Sequence, residues 1–351
     1  MQPIRLLPAR AWRTYLGGKM IDRLHGEQNP ADSNFPEEWL MSTVCARNAG
    51  REDIVEGLSM TENGASLKEC IEADCEAMLG KEHSAKYGSQ AGVLVKLLDA
   101  GERLTVQVHP TREMARCLFD SAYGKTECWH IIDCRTEDGI VPCIYLGFRE
   151  GVTKDHWQEL FDKQDIAGML DCLHRIEVQK GETYIIHGGV PHAIGHGCFL
   201  VEIQEPTDLT VRVERITPAG LQIADSMCHQ GLGFEKMFEC FDYDGCTKEE
   251  AIRRWRIEPM VTEKTDGAVR EELVGYKDTP MFCMESLMVS GSYTLRASGR
   301  FCGAYVLEGE GTFGGMIAKQ GDQFFLPACV GDLCVEANET MRLMLYYGPK
   351  D

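Results

Sequence analysis

Four side chains have the types and spacing to hold one cation. In Leu104-Thr105-Val106-Gln107-Val108-His109-Pro110 the residues alternate, so a strand here puts Leu104, Val106 and Val108 on one face and Thr105, Gln107 and His109 on the other. Gln107 and His109 then point the same way, and an amide oxygen and an imidazole nitrogen one strand step apart can converge on an ion. Alone, such a pair is more often a solvated face. A second predicted strand, Lys125-Thr126-Glu127-Cys128-Trp129-His130-Ile131-Ile132, places Lys125, Glu127 and Trp129 together. Glu127 is the natural carboxylate donor; a surface ion pair is the competing reading, and the Trp beside it argues that the face is covered. His192 follows in Gly188-Gly189-Val190-Pro191-His192-Ala193-Ile194-Gly195, a rigid turn of the kind that positions a ligand. Two nitrogen and two oxygen donors suit a borderline divalent ion. Zinc is the first expectation, and Mn, Fe, Co and Ni stay open because Gln rarely binds zinc.

The elements that must position these residues are mostly strands. Turn signals such as Lys180-Gly181-Glu182 and Gln320-Gly321-Asp322 recur between alternating segments. Helices read as insertions. One is expected over Leu67 to Leu79, opened by a Ser66/Glu69 capping box, with Leu67, Ile71, Cys75 and Met78 on one face and Gly80 at its end. Another begins near Thr153 with Trp157, Leu160 and Phe161 facing inward, and a third follows a Thr247 to Glu250 capping box. That box marks the expected boundary between a larger unit, residues 1–246, and a smaller β-unit, residues 247–351, in which Tyr305 to Leu307 and Gln323 to Leu326 are the clearest strands. Gly309, Gly311 and Gly314 match a dinucleotide-binding pattern, but no helix can follow through Gly315 to Gly321. They are read as hairpin turns.

Composition limits the partners. In 351 residues, 36 Lys and Arg stand against 55 Asp and Glu, and the net charge of -19 disfavours nucleic acid and anionic membranes. Pro3, Pro8 and Arg10 interrupt the first residues, so no secretory leader is expected, and no segment has transmembrane length. The 16 cysteines are scattered without a Cys-x-x-Cys pair, which suits reduced core thiols in a cytoplasmic protein.

In this order the motifs resemble the class I mannose-6-phosphate isomerases of the cupin superfamily. The residues carrying the likeness are Leu94-Val95-Lys96, the Gln-Val-His-Pro strand, Gly124-Lys125-Thr126-Glu127, Pro191-His192-Ala193-Ile194, and Val201-Glu202-Ile203-Gln204-Glu205-Pro206-Thr207-Asp208-Leu209-Thr210-Val211-Arg212. The likeness is good from about Trp39 to Arg212 and extends beyond only in pattern. It departs at Pro36-Glu37-Glu38-Trp39, which keeps part of a Gly-Glu-Ser-Trp signature, and at His187, Thr207 and His130. What the resemblance implies is a mostly β fold: a jelly-roll cupin barrel with helical insertions plus a second, smaller cupin-like domain. It further implies Gln107, His109, Glu127 and His192 as zinc ligands, and Lys96, Lys125, Glu202 and Arg212 around a small-molecule sugar phosphate.

The implied reaction interconverts mannose-6-phosphate and fructose-6-phosphate through an enediolate. It needs a Lewis acid, a base that moves a proton between adjacent carbons, and cations for the phosphate. Glu202 is the candidate base, a water on the metal being the alternative; Lys125 and Arg212 are the other catalytic candidates, and Lys96, Lys125 and Arg212 the substrate-binding ones. Asp208 is read as a turn residue. Other readings are a non-catalytic sugar-phosphate sensor, an iron-dependent cupin oxygenase, and an isomerase of a different sugar. For the C-terminal unit a covering or packing role is expected.

Overall fold

The computed structural model describes residues 1–137 and 139–350. Three antiparallel sheets make up the framework. A seven-stranded sheet runs in the order Arg256–Ile257, Thr183–Ile186, Glu127–Cys134, Cys198–Gln204, Leu94–Asp99, Glu37–Leu40, Arg10–Ala11. A five-stranded sheet runs Val211–Arg212, Gln107–Val108, His192–Ile194, Cys143–Phe148, Leu173–Glu177. The remaining nine strands form the third sheet, which holds residues 260–347 and also takes in Ile4–Leu6, paired to Gln323–Phe325.

The central strands of the seven-stranded sheet are buried on both faces, which explains their nearly continuous apolar runs. Along Cys198–Gln204 the side chains of Phe199, Val201 and Ile203 enter a core shared with the third sheet, where they join Phe282, Tyr305 and Tyr346. Leu200, between them, packs on the opposite face with Trp129, Ile144 and Leu146, in the core between the seven- and five-stranded sheets. By the same alternation Glu202 and, on the neighbouring strand, Lys96 face the five-stranded sheet, so a period of two sets polar groups inside an apolar wall.

The helices lie outside the sheets. The capping box at Ser66 and Glu69 forms as expected, but the single helix over residues 67–79 is two, Leu67–Ala73 and Cys75–Leu79. Asp74 leaves helical geometry and its carboxylate accepts the Ala77 N–H, so a competing cap cuts the segment. Thr153 caps Lys154–Lys163, with Trp157, Leu160 and Phe161 buried. Thr247 caps Lys248–Trp255, yet the box is only half made, because the Glu250 carboxylate binds Arg254.

Gly309 and Gly311 are not turns. They sit in the long strand Cys302–Phe313 at breaks in register with Leu333–Tyr347. A Cβ at Gly309 would stand 2.0 Å from the Thr340 carbonyl oxygen and one at Gly311 1.9 Å from that of Glu336, so close backbone approach is what demands glycine. Only Gly314, with φ +60°, takes part in the hairpin, and a strand, Met316–Lys319, follows. All 16 cysteines are free thiols, nine of them buried. Among the described residues no helix is long and apolar enough to cross a membrane.

Candidate active site and metal centre

The predicted residues meet between the seven- and five-stranded sheets. From the five-stranded side, Gln107 stands opposite both His192 and Arg212 in register. From the seven-stranded side, Glu202 lies between Lys96 and Trp129, and Gln204 beside it is paired with Glu127. His192 opens a short strand, His192–Ile194, rather than sitting within the preceding turn; the Pro191 turn delivers it to that edge. The predicted strand over 104–109 shortens to Gln107–Val108, and His109 follows directly.

His109, Glu127 and His192 are fully buried, and one donor atom from each lies within 4.8 Å of the others. Each imidazole is oriented from behind: His109 Nδ1 donates to the Leu209 carbonyl and His192 Nδ1 to that of Val190, both at 2.9 Å. These bonds assign the N–H to Nδ1 and leave the Nε2 lone pairs facing Glu127, the arrangement that metal-binding imidazoles use. Burial, reinforced by the Lys125 ammonium, pushes His109 down to about 3, and burial lowers His192 as well, so both rings are neutral.

The donor set fits a cation. Among the described residues neither oxygen of Glu127 accepts a hydrogen bond, although the carboxylate is buried. Positive charge is nevertheless drawn to it: Lys125 Nζ lies 3.1 Å from Glu127 Oε2 and 2.9 Å from His109 Nε2. Buried carboxylate oxygens that accept no hydrogen bond among the described residues, beside two oriented lone pairs, are what a divalent ion would satisfy, since one ammonium leaves their hydrogen-bonding capacity unmet. Gln107 is at the rim, its amide nitrogen 3.3 Å from His192 Nε2, so it would have to turn its oxygen inward to act as a ligand.

Beside this cluster is a narrow cleft of about 40 Å³ that reaches Gln107, Lys96, Lys125, Glu202 and Arg212. Lys96 Nζ is 3.0 Å from Glu202 Oε1, and the Trp129 indole N–H donates to Glu202 Oε2 at 3.2 Å. Burial raises the Glu202 carboxyl, with Lys96 opposing. Arg212 is placed differently: its Nη1 donates to the Thr210 and Met227 carbonyls at 3.1 and 3.0 Å, and among the described residues no carboxylate lies within ion-pair distance, Asp208 acting on it from farther off.

Sequence reasoning missed a brace on the far wall. Arg13 Nε is 2.8 Å from Glu37 Oε2 and Arg13 Nη1 3.1 Å from Asp208 Oδ2, while Tyr15 and Trp39 also donate to Glu37. Burial opposes ionisation of Glu37, but Arg13, Lys96 and Trp39 hold it at about 2. Asp208, read as a turn residue, uses its carboxylate to accept from Arg13 and from the Arg47 N–H, and Arg13 holds it well below the usual range against its burial. The Glu37-Glu38-Trp39 remnant was the one available signal; nothing marked Arg13 or Tyr15. Of the departures from the family pattern, His130 points away from the cleft and bonds Thr183 and Arg342, and the Thr207 hydroxyl donates to the Gly124 carbonyl.

Comparison with known proteins finds similar chains. Residues 15–126 match the family model "Phosphomannose isomerase type I, catalytic domain". The chain is 27% identical over 308 residues to a Bacillus subtilis protein named "Probable mannose-6-phosphate isomerase GmuF", covering 80% of this chain and 82% of that one. It is 34% identical over 143 residues to the B. subtilis mannose-6-phosphate isomerase ManA, covering 38% and 42% of the two chains. The crystal structure of the B. subtilis mannose 6-phosphate isomerase superposes with a TM-score of 0.75 at 24% identity, covering 99% of this chain and all of the other, and shows the shared cupin fold. In its ordered motifs, its buried donor set and its fold, the chain is similar to the type I phosphomannose isomerases, whose catalytic-domain model matches about a third of it.

Proposed function

We propose that this protein interconverts mannose-6-phosphate and fructose-6-phosphate, using one divalent ion, zinc, held by Gln107, His109, Glu127 and His192. The observation that carries the reading is the pairing of a buried, cation-seeking His109–Glu127–His192 set with a carboxylate, Glu202, facing the adjacent cleft. When bound, the ion would polarise the sugar oxygens next to the reacting carbons and stabilise negative charge developing there.

The chain's own groups divide the remaining work. Glu202 takes the proton from one carbon and returns it to its neighbour, and its raised pKa brings it nearer to the operating pH, where a general base works best. Lys96 and the Trp129 indole hold that carboxylate in place. Because Lys96 and Lys125 already pair with carboxylates, the phosphate falls to Arg212, whose guanidinium has no carboxylate within ion-pair distance among the described residues. Lys125, next to Glu127, neutralises charge where the sugar oxygens would lie. Glu37, Arg13 and Asp208 brace Lys96 from behind. The division into a catalytic unit, 1–246, and a C-terminal β-unit, 247–351, belongs to the same proposal, as does a cytoplasmic setting. The relatives do not favour a non-catalytic sensor.

The test is isomerisation of mannose-6-phosphate by purified protein before and after chelation, and again after zinc is restored. Turnover lost to the chelator and recovered with zinc is the expected result. Absence of turnover in zinc-replete protein would overturn the reading.

A further inference from the structure

A second cavity, of about 380 Å³, opens among the strands of the nine-stranded sheet and shares no lining residue with the cleft above. This volume is within the range of small-molecule sites. Its walls are not those of a packed sheet end. Arg270 reaches in from Ala268–Val274 and meets Glu285 Oε2 at 2.6 Å, the Tyr347 hydroxyl at 3.0 Å and the Tyr293 hydroxyl at 3.4 Å. Glu285 is only 9% exposed, and apolar side chains would fill this position at lower cost than a charge pair.

The charges in the wall do not cancel. Arg270 is matched by Glu285, Arg296 by Asp332 at 2.7 Å, and Glu272 by Lys277 at 3.4 Å. Arg300 has no carboxylate partner among the described residues. Its Nη2 donates to the Tyr276 hydroxyl and, at 3.2 Å, to the Gly348 carbonyl, and Nε and Nη1 make no hydrogen bond among the described residues. The guanidinium is held over the rings of Tyr276 and Tyr347, 4.9 and 5.7 Å from their centroids. One oriented positive charge calls for one acidic group. The nearby Glu272 and Glu285 carboxylates repel a bare anion, but they accept from hydroxyl groups, and tyrosine rings offer faces to C–H bonds.

We propose that this cavity is a second ligand site, which takes a monosaccharide bearing a single acidic group, either phosphate or carboxylate, on Arg300. The C-terminal unit then binds a small molecule in addition to packing against the first.

Isothermal titration calorimetry with full-length protein carrying Arg212→Ala, which weakens the first cleft, tests this with glucose 6-phosphate and glucuronate as probes. Saturable binding of at least one probe at a single site is expected; which probe binds identifies the acid. Arg300→Gln, added to this background, is expected to weaken that binding at least tenfold. So is Ala297→Glu, which places a negative charge on an exposed part of the rim and leaves the Gly348 contact untouched. In the otherwise wild-type chain, Arg300→Gln leaves isomerase turnover unchanged. The proposal is overturned if neither probe binds, if inorganic phosphate alone binds as tightly, or if binding survives both substitutions.

Discussion

Lys96→Met separates the electrostatic work of the cleft from its packing. The ammonium lies 3.0 Å from Glu202 Oε1 and 3.9 Å from Glu37 Oε2, and neither carboxylate is more than 5% exposed. With an effective dielectric of about 20, unit charges at the shorter separation attract by roughly 5.5 kcal/mol, and breaking a buried pair by removing one partner costs about 3–5 kcal/mol. Met keeps most of the side-chain volume, so cavity formation adds little. Glu37 retains Arg13, Tyr15 and Trp39, whereas among the described residues Glu202 keeps the Trp129 indole as its one hydrogen-bond donor, with the Lys125 charge farther off. Stranded in this way, Glu202 has its carboxyl raised further above its unfolded value. Protonation then favours the folded state as pH falls, so the deficit is largest in alkali and shrinks in acid. Urea unfolding followed by tryptophan fluorescence should show a loss of about 3 kcal/mol near pH 8 and clearly less near pH 5.5. Adding Glu202→Gln removes the stranded charge and is expected to bring stability to within about 1.5 kcal/mol of wild type, because losing both partners costs less than losing one. Turnover stays lost in the double variant, since the base is gone. A Lys96→Met protein as stable as wild type, or a double variant no more stable than the single one, would refute this account of the cleft.

Other consequences are open to direct measurement. His192→Ala should lower bound metal and activity together, because an oriented nitrogen donor disappears; full activity with depleted metal, read by elemental analysis beside turnover, would sink the ligand assignment. Arg212→Ala should leave metal content intact while kcat/KM for the sugar phosphate falls by about 2 kcal/mol in transition-state terms, the scale of a charge-assisted hydrogen bond; loss of metal instead would assign Arg212 a structural role. Burial holds His130 near 3, with Arg342 and Lys180 adding to the effect, so its folded pKa is depressed and unfolding takes up a proton once pH falls below the free imidazole value of 6.5. Stability from this residue is present above pH 6.5 and is lost at about 1.4 kcal/mol per unit as the pH falls towards 3. His130→Gln should flatten that part of the urea-midpoint profile, and an unchanged slope would count against a neutral buried ring.

The donor set was legible in the sequence because a strand's period of two converts spacing into direction: Gln107 and His109, or Glu127 and Trp129, must share a face wherever the strand lies. Glu202 was marked only by the family resemblance of the Glu-Ile-Gln strand that carries it. Partners across the fold carry no such local mark. Arg13 reaches Asp208 over 195 residues, and the three-residue strand Ile4–Leu6 offers no pattern to reveal that it pairs with Gln323–Phe325. Nor does a sequence reveal which caps compete, as Asp74 shows by splitting a helix whose apolar face reads as continuous. The largest gap concerns charge. Lys96, Lys125 and Arg212 look alike in one dimension, as three cations in a chain of net charge -19. In three dimensions the first two face buried carboxylates. Burial lowers the Arg212 pKa against the opposing pull of Asp208, and among the described residues no carboxylate comes within ion-pair distance of the guanidinium. A dianionic phosphate group would relieve that burial cost only in the bound state, so on the proposed reading Arg212 would be the group through which an acidic protein selects a sugar phosphate over the free sugar.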